Sequence, residues 1–99
     1  MMRDTLAMDS STVTRHDDRG RYELDVDDEV VAFAEFSASG DTITIPYIET
    51  AQQHRGKGYS SMLMDGVIDD LRAHDLQVRA TCSVARAHLA AHASELLVH

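Results

Sequence analysis

The stretch Gln53-His54-Arg55-Gly56-Lys57-Gly58-Tyr59-Ser60 stands between the strongest strand pattern in the chain, Thr42 to Thr50, and the strongest helix pattern, Tyr59 to His74. Two glycines one residue apart let backbone pass close to a ligand with no Cβ in the way. They precede the first turn of a helix, whose free N–H groups and positive dipole end face the loop. In outline this is a cradle for a phosphate or pyrophosphate. A glycine-rich turn closing a strand is the alternative. Lys57, the single lysine of the 99 residues, adds a cation to the loop.

Upstream of the loop the apolar residues alternate. Ser11 to His16, Arg21 to Val26, Val30 to Ser37 and Thr42 to Thr50 read as strands, separated by turns at Asp17-Asp18-Arg19-Gly20, Asp27-Asp28-Glu29 and Ser39-Gly40-Asp41. Val30, Val31, Phe33 and Phe36 predict a strand largely covered on both faces. In Thr42 to Thr50 strict alternation puts Ile43, Ile45 and Tyr47 on one face, and Thr44, Pro46 and Ile48 on the other. Pro46 cannot donate to a ladder, so pairing breaks or bulges there. Either this is an edge strand, or it splays from its neighbour and leaves backbone groups free for an elongated ligand.

Downstream the period changes to that of a helix. Tyr59, Met62, Leu63, Gly66, Val67, Asp70 and Leu71 recur at steps of three and four, widened by Met64 and Ile68, with Gly66 allowing close packing. Leu76, Val78 and Ala80 form a short strand that carries Cys82 onward on the same face. Ser83 is the candidate N-cap of a helix from Val84 to about His92. The fold class is therefore α+β, an antiparallel β-meander followed by helix-strand-helix. Residues 1–10 are expected to be a flexible tail on a single domain over 11–99.

Composition narrows the partners. A formal charge of −8, from 17 acidic and 9 basic residues, excludes nucleic acid and anionic membranes as expected partners. The single cysteine rules out an internal disulfide. Met1 to Asp9 lacks the apolar core of a signal peptide, and no apolar run approaches the length of a membrane span of ~20 residues. These features predict a cytoplasmic protein. His88 and His92 lie four apart on a helix, but no third ligand stands at readable spacing, so no metal is expected. Asp69 and Asp70 read as solvated surface, and His54 as exposed.

On these residues the chain resembles the GNAT superfamily of acetyl-CoA-dependent N-acetyltransferases. Gln53-His54-Arg55-Gly56-Lys57-Gly58 fits the superfamily signature Gln/Arg-x-x-Gly-x-Gly/Ala. Loop, amphipathic helix, short strand and Cys82-Ser83, in this order, look like the minimal single-domain YjdJ-type branch. The chain departs from that branch at the end of the central strand. There Tyr47-Ile48-Glu49-Thr50 replaces His-Thr-Glu-Val and keeps only Glu49. A second departure is His92-Ala93-Ser94 in place of His-Pro-Glu.

The resemblance implies an enzyme that moves an acetyl group from acetyl-CoA to a small amine or an exposed protein amine. It implies that residues 53 to 60 hold the CoA pyrophosphate, with Gln53, Arg55, Gly56, Lys57, Gly58, Tyr59 and Ser60 as contacts, and that Ile48 lies along the pantetheine arm. Glu49, at the strand end, becomes a candidate general base or base-positioner, against a plain solvated acid. Cys82 is a candidate nucleophile, because a helix N-terminus lowers a thiol pKa. As a small hydrophobe it is equally a core residue. A non-catalytic acyl-CoA or CoA-binding module is the alternative function. The expected assembly is a monomer or weak homodimer. A P-loop nucleotide site is excluded by the absence of GxxxxGK[ST].

Overall fold

The alternating segments build one five-stranded sheet in a computed structural model that describes residues 11–98; the expected tail over 1–10 lies outside the described residues. The strands are β1 (Ser11–His16), β2 (Arg21–Val26), β3 (Glu29–Ser39), β4 (Thr42–Thr50) and β5 (Gln77–Ala80). Helix α1 (Tyr59–Ala73) joins β4 to β5, and α2 (Ser83–His92) follows β5. The strand order is β1-β2-β3-β4-β5. The first three pairings are antiparallel, and β4 with β5 is parallel. The crossover through α1 makes that last pairing possible.

Both helices lie on one face of the sheet. Tyr22, Leu24, Ala32, Ala34, Ile43, Ile45, Val78 and Ala80 meet Leu63, Met64, Val67, Ile68 and Leu71 of α1 and Ala85 and Leu89 of α2. Each large aliphatic side chain buried here contributes about 2 kcal/mol. Gly66 sets the depth of the packing: a Cβ there would stand 2.4 Å from the Cβ of Val13 on β1. Asp70 is not solvated surface as its composition suggested. Its Oδ2 accepts the Tyr22 hydroxyl at 2.7 Å and faces Arg15 at 3.5 Å, tying α1 to the sheet. Burial, and then this hydrogen bond, push the Tyr22 phenol well above its ordinary pKa.

Helix α1 ends in a Schellman motif. Leu76 N–H reaches the Leu71 carbonyl at 2.8 Å, and Asp75 takes the left-handed position with φ 55°. Leu76 is thereby used in the cap, and β5 begins at Gln77. Beyond α2 the chain forms a short 3₁₀ turn, Ser94–Leu96. After it, Val98 N–H bonds to the Val78 carbonyl at 2.8 Å along the outer edge of β5.

Two β-bulges reset the faces that alternation predicted. In β3, Leu24 pairs with Ala32 but Asp25 with Val30, so Val31 is the extra residue. Ala32 and Ala34 face the helices, while Phe33 points to the other face and Val30 is 40% exposed. The expectation that β3 is covered on both faces is thus corrected, since among the described residues no helix packs on the second face. In β4, Glu35 pairs with Tyr47 but Ser37 with Thr44, so Ile45 and Pro46 together oppose Phe36. The phase flips beyond the proline. Ile48 packs against the core instead of facing away from it, and Tyr47, expected with Ile43 and Ile45, points out at 44% exposure.

Candidate active site

Pro46 decides where the site lies. β4 is an interior strand between β3 and β5, so the edge-strand alternative falls. Its pairing with β5 covers only Thr42 to Ile45, ending at Ala80. Thr81 and Cys82 N–H both turn onto the Ile45 carbonyl, at 3.2 and 3.4 Å, and the chain leaves into α2. Among the described residues, the β5 side of β4 carries no strand from Pro46 to Thr50. The opening continues into a cavity of about 330 Å³, with Tyr47, Ile48, Glu49 and Thr50 on one wall and Arg55, Gly56, Gly58, Tyr59, Ser60 and Ser61 on the other.

The loop wall is built for backbone contact. Gly56 and Gly58 have φ of 85° and 78°, a region that side-chain-bearing residues rarely adopt. A Cβ at either would meet nothing within 4 Å, so the glycines serve backbone conformation and leave open space in front of them. Gly58 is the N-cap of α1 and supplies no side-chain cap, so the first N–H groups of the helix are left without a capping side chain at residues that line the cavity. The Thr50 and Ser60 hydroxyls lie 3.0 Å apart and join the end of β4 to the first turn of α1. Arg55 Nε donates to the Thr50 carbonyl at 3.3 Å. His54 is half-buried, not exposed as expected. Its Nε2 lies 3.0 Å from Glu29, its ring packs against Tyr59, and its buried Nδ1 has no partner among the described residues. Lys57 and Gln53 belong to the loop but are exposed and stand outside the cavity lining.

On the far wall the Tyr47 hydroxyl donates a short hydrogen bond to Glu49 Oε1. The Tyr47 phenol is held above its ordinary pKa, first by this bond, then by desolvation and the charges of Glu49 and Glu35. Glu49 also lines a second cavity, of about 280 Å³, on the sheet face away from the helices. One carboxylate therefore borders both the loop cavity and the uncovered face.

A sequence profile of GCN5-related N-acetyl-transferases matches residues 21–96, which run from β2 through the loop and both helices but leave out β1. The chain belongs to this family. The solution structure of a GCN5-like protein from Staphylococcus aureus matches with a TM-score of 0.65 at 17% identity, covering 90% of this chain and 89% of that one. The ribosomal-protein-S18-alanine N-acetyltransferase of Escherichia coli matches with a TM-score of 0.59 at 16% identity, covering 94% and 72%. N-acetylglutamate synthase from Neisseria gonorrhoeae, in complex with coenzyme A and N-acetyl-glutamate, matches with a TM-score of 0.51 at 17% identity, covering 76% of this chain and 20% of that one. These likenesses show the fold. No curated protein matches the sequence.

Within this acetyltransferase the remaining candidates separate. Cys82 is the N-cap of α2, and Ser83, expected as the cap, is its first helical residue. The thiol packs partly buried against the core and does not line the loop cavity. His88 pairs with Asp65 of α1 at 2.8 Å, and among the described residues no three His, Cys, Asp or Glu side chains are grouped to hold a metal. No helix among the described residues is long and apolar enough to cross a membrane. Alternation missed Tyr47, because it carries no phase change through Pro46; the proline itself was the available signal. Thr50 and Ser61 gave no sequence signal beyond flanking the loop.

Proposed function

We propose that this acetyltransferase moves the acetyl group of acetyl-CoA to the amine of a small molecule or an exposed protein residue. Backbone N–H groups of Gly56 to Ser61 hold the pyrophosphate, Arg55 and Lys57 add positive potential, and the free edge of β4 around Ile48 pairs with the pantetheine arm. The observation that carries this reading is the continuity of the β4 edge, unpaired after Ile45, with an uncapped helix N-terminus reached through two left-handed glycines. That the Neisseria structure holds coenzyme A on a similar fold supports it.

Acetyl-CoA supplies an activated carbonyl. Glu49, oriented by Tyr47, accepts the proton of the amine as nitrogen attacks; the C–N bond forms, the C–S bond breaks, and the CoA thiolate takes up a proton. Juxtaposition in the cleft supplies much of the rate, and a positioned base typically adds about 10²–10⁴-fold. Direct attack fits the placement of Cys82 outside the cavity better than an acetyl-cysteine route. A CoA-binding module without catalysis is the second reading, favoured by the uncovered sheet face.

Isothermal titration with acetyl-CoA, CoA and ATP, followed by thiol release with a panel of amines, tests both. Binding of acetyl-CoA with amine-dependent thiol release is expected. Binding without release supports the module, and preference for ATP overturns both readings.

A further inference from the structure

The cavity of about 280 Å³ on the uncovered face has walls of opposite charge: Arg21 on one side, Glu49 on the other, with Val30, Val31, Phe33 and Ala51 between them. Register fixes the spacing. Phe33 lies opposite Glu23 on β2 and opposite Glu49 on β4. The Arg21 guanidinium is stacked 4.3 Å above the Phe33 ring, so it stands over the floor of the cavity. Among the described residues no ion pair joins Arg21 to Glu49, nor to Glu35, its cross-strand neighbour.

Arg21 is held in place through one of its nitrogens. Its Nε donates to Glu23 at 2.8 Å, but the same carboxylate also takes Arg19 at 3.0 Å and His16 at 3.2 Å. The terminal nitrogens of Arg21 have no hydrogen-bond partner among the described residues. Across the cavity Tyr47 occupies Oε1 of Glu49, which leaves Oε2 for another donor.

From this geometry we infer that the cavity is the acceptor site and that it selects a short amino acid, with the carboxylate on Arg21, the methylene chain over Phe33 and Val30, and the amine on Glu49. The inference rests on the reading of Glu49 as the base beside the acetyl group. A planar guanidinium binds a carboxylate through two parallel N–H···O bonds, which gives geometric selection as well as attraction. An alkylamine of the same length makes only half of these contacts.

The test is binding to the CoA-loaded protein, followed by NMR and titration, with γ-aminobutyrate and butylamine as matched probes and glycine and β-alanine to vary length. γ-Aminobutyrate or β-alanine is expected to bind at least tenfold more tightly than butylamine and to shift the resonances of Phe33 and Arg21. Arg21→Gln should weaken that binding at least tenfold and Arg21→Lys should restore part of it, while Arg19→Gln, which removes the other arginine from Glu23, should change it less than twofold. Equal affinity for butylamine, or an equal loss in Arg19→Gln, overturns the inference while leaving the acetyltransferase reading intact. Failure of the same sample to bind CoA overturns the reading beneath it, and the inference falls with it.

Discussion

Gly66 on α1 and Val13 on β1 meet so closely that a methyl group at position 66 would lie 2.4 Å from the Cβ and from one methyl carbon of the valine. No rotamer of Val13 removes a clash with its own Cβ, so the backbone must shift. Gly66→Ala gains about 1 kcal/mol of helix propensity, and overpacking costs about 1–3 kcal/mol. Net destabilisation in urea unfolding is expected, with partial recovery in the double variant Gly66→Ala, Val13→Gly, which removes the opposing Cβ. A more stable single variant would show that the contact is slack.

At the loop, Gly56→Asp and Gly58→Asp should each weaken acetyl-CoA binding at least a hundredfold with the circular dichroism unchanged. Open space around both positions leaves room for a side chain, although their positive φ strains any non-glycine residue by about 1–2 kcal/mol. An added carboxylate at a helix N-terminus even favours the helix, but it repels a pyrophosphate. Lys57→Ala should cost only a few-fold, because an exposed charge is screened. A larger loss in Lys57→Ala than in the glycine variants would make the side chain, rather than the backbone, the ligand.

Glu49→Gln should lower turnover by about 10²–10⁴-fold with acetyl-CoA affinity retained. Tyr47→Phe, which frees the carboxylate without removing it, should lower kcat by less. If both variants turn over at the parent rate, proton transfer does not pass through this pair.

Cys82→Ala should keep turnover per folded molecule and cost about 1 kcal/mol of stability. No acetylated Cys82 should be trapped by mass spectrometry after rapid mixing with acetyl-CoA alone. An acetyl-cysteine adduct together with loss of activity in Cys82→Ser would replace direct attack with a nucleophilic route.

Glu23 predicts an acid limb of stability. Burial alone would raise its pKa, but hydrogen bonds from Arg21 and Arg19 and the nearby His16 outweigh this and hold it below the ordinary carboxylate range. Because the folded pKa is depressed, the stabilisation is present above the unfolded value, about 4.3, and is lost as pH falls through the folded one. Glu23→Gln should destabilise the protein by about 1–2 kcal/mol at neutral pH and flatten the decline in acid. An unchanged acid slope would assign that decline to other carboxylates.

What the sequence determined by itself is the order of elements and the place of the loop. β1, β2 and β4 begin and end where alternation and turn residues put them, and α1 starts at Tyr59, because these patterns are local and each residue's burial follows its neighbours'. The glycine signature, too, is local chemistry. The phase of β4 beyond Pro46 was decided only by the tertiary structure: a bulge is a property of two paired strands, and it appears in the mismatch between Glu35–Ser37 and Thr44–Tyr47. That one residue of slip turns Tyr47 and Glu49 onto the same face as Phe33 and Arg21, and Ile48 onto the core. Asp70 under Tyr22 and Gly66 against Val13 belong to the same class. Each joins residues about fifty positions apart, where only the packing of α1 on the sheet, and no pattern along the chain, brings the partners together.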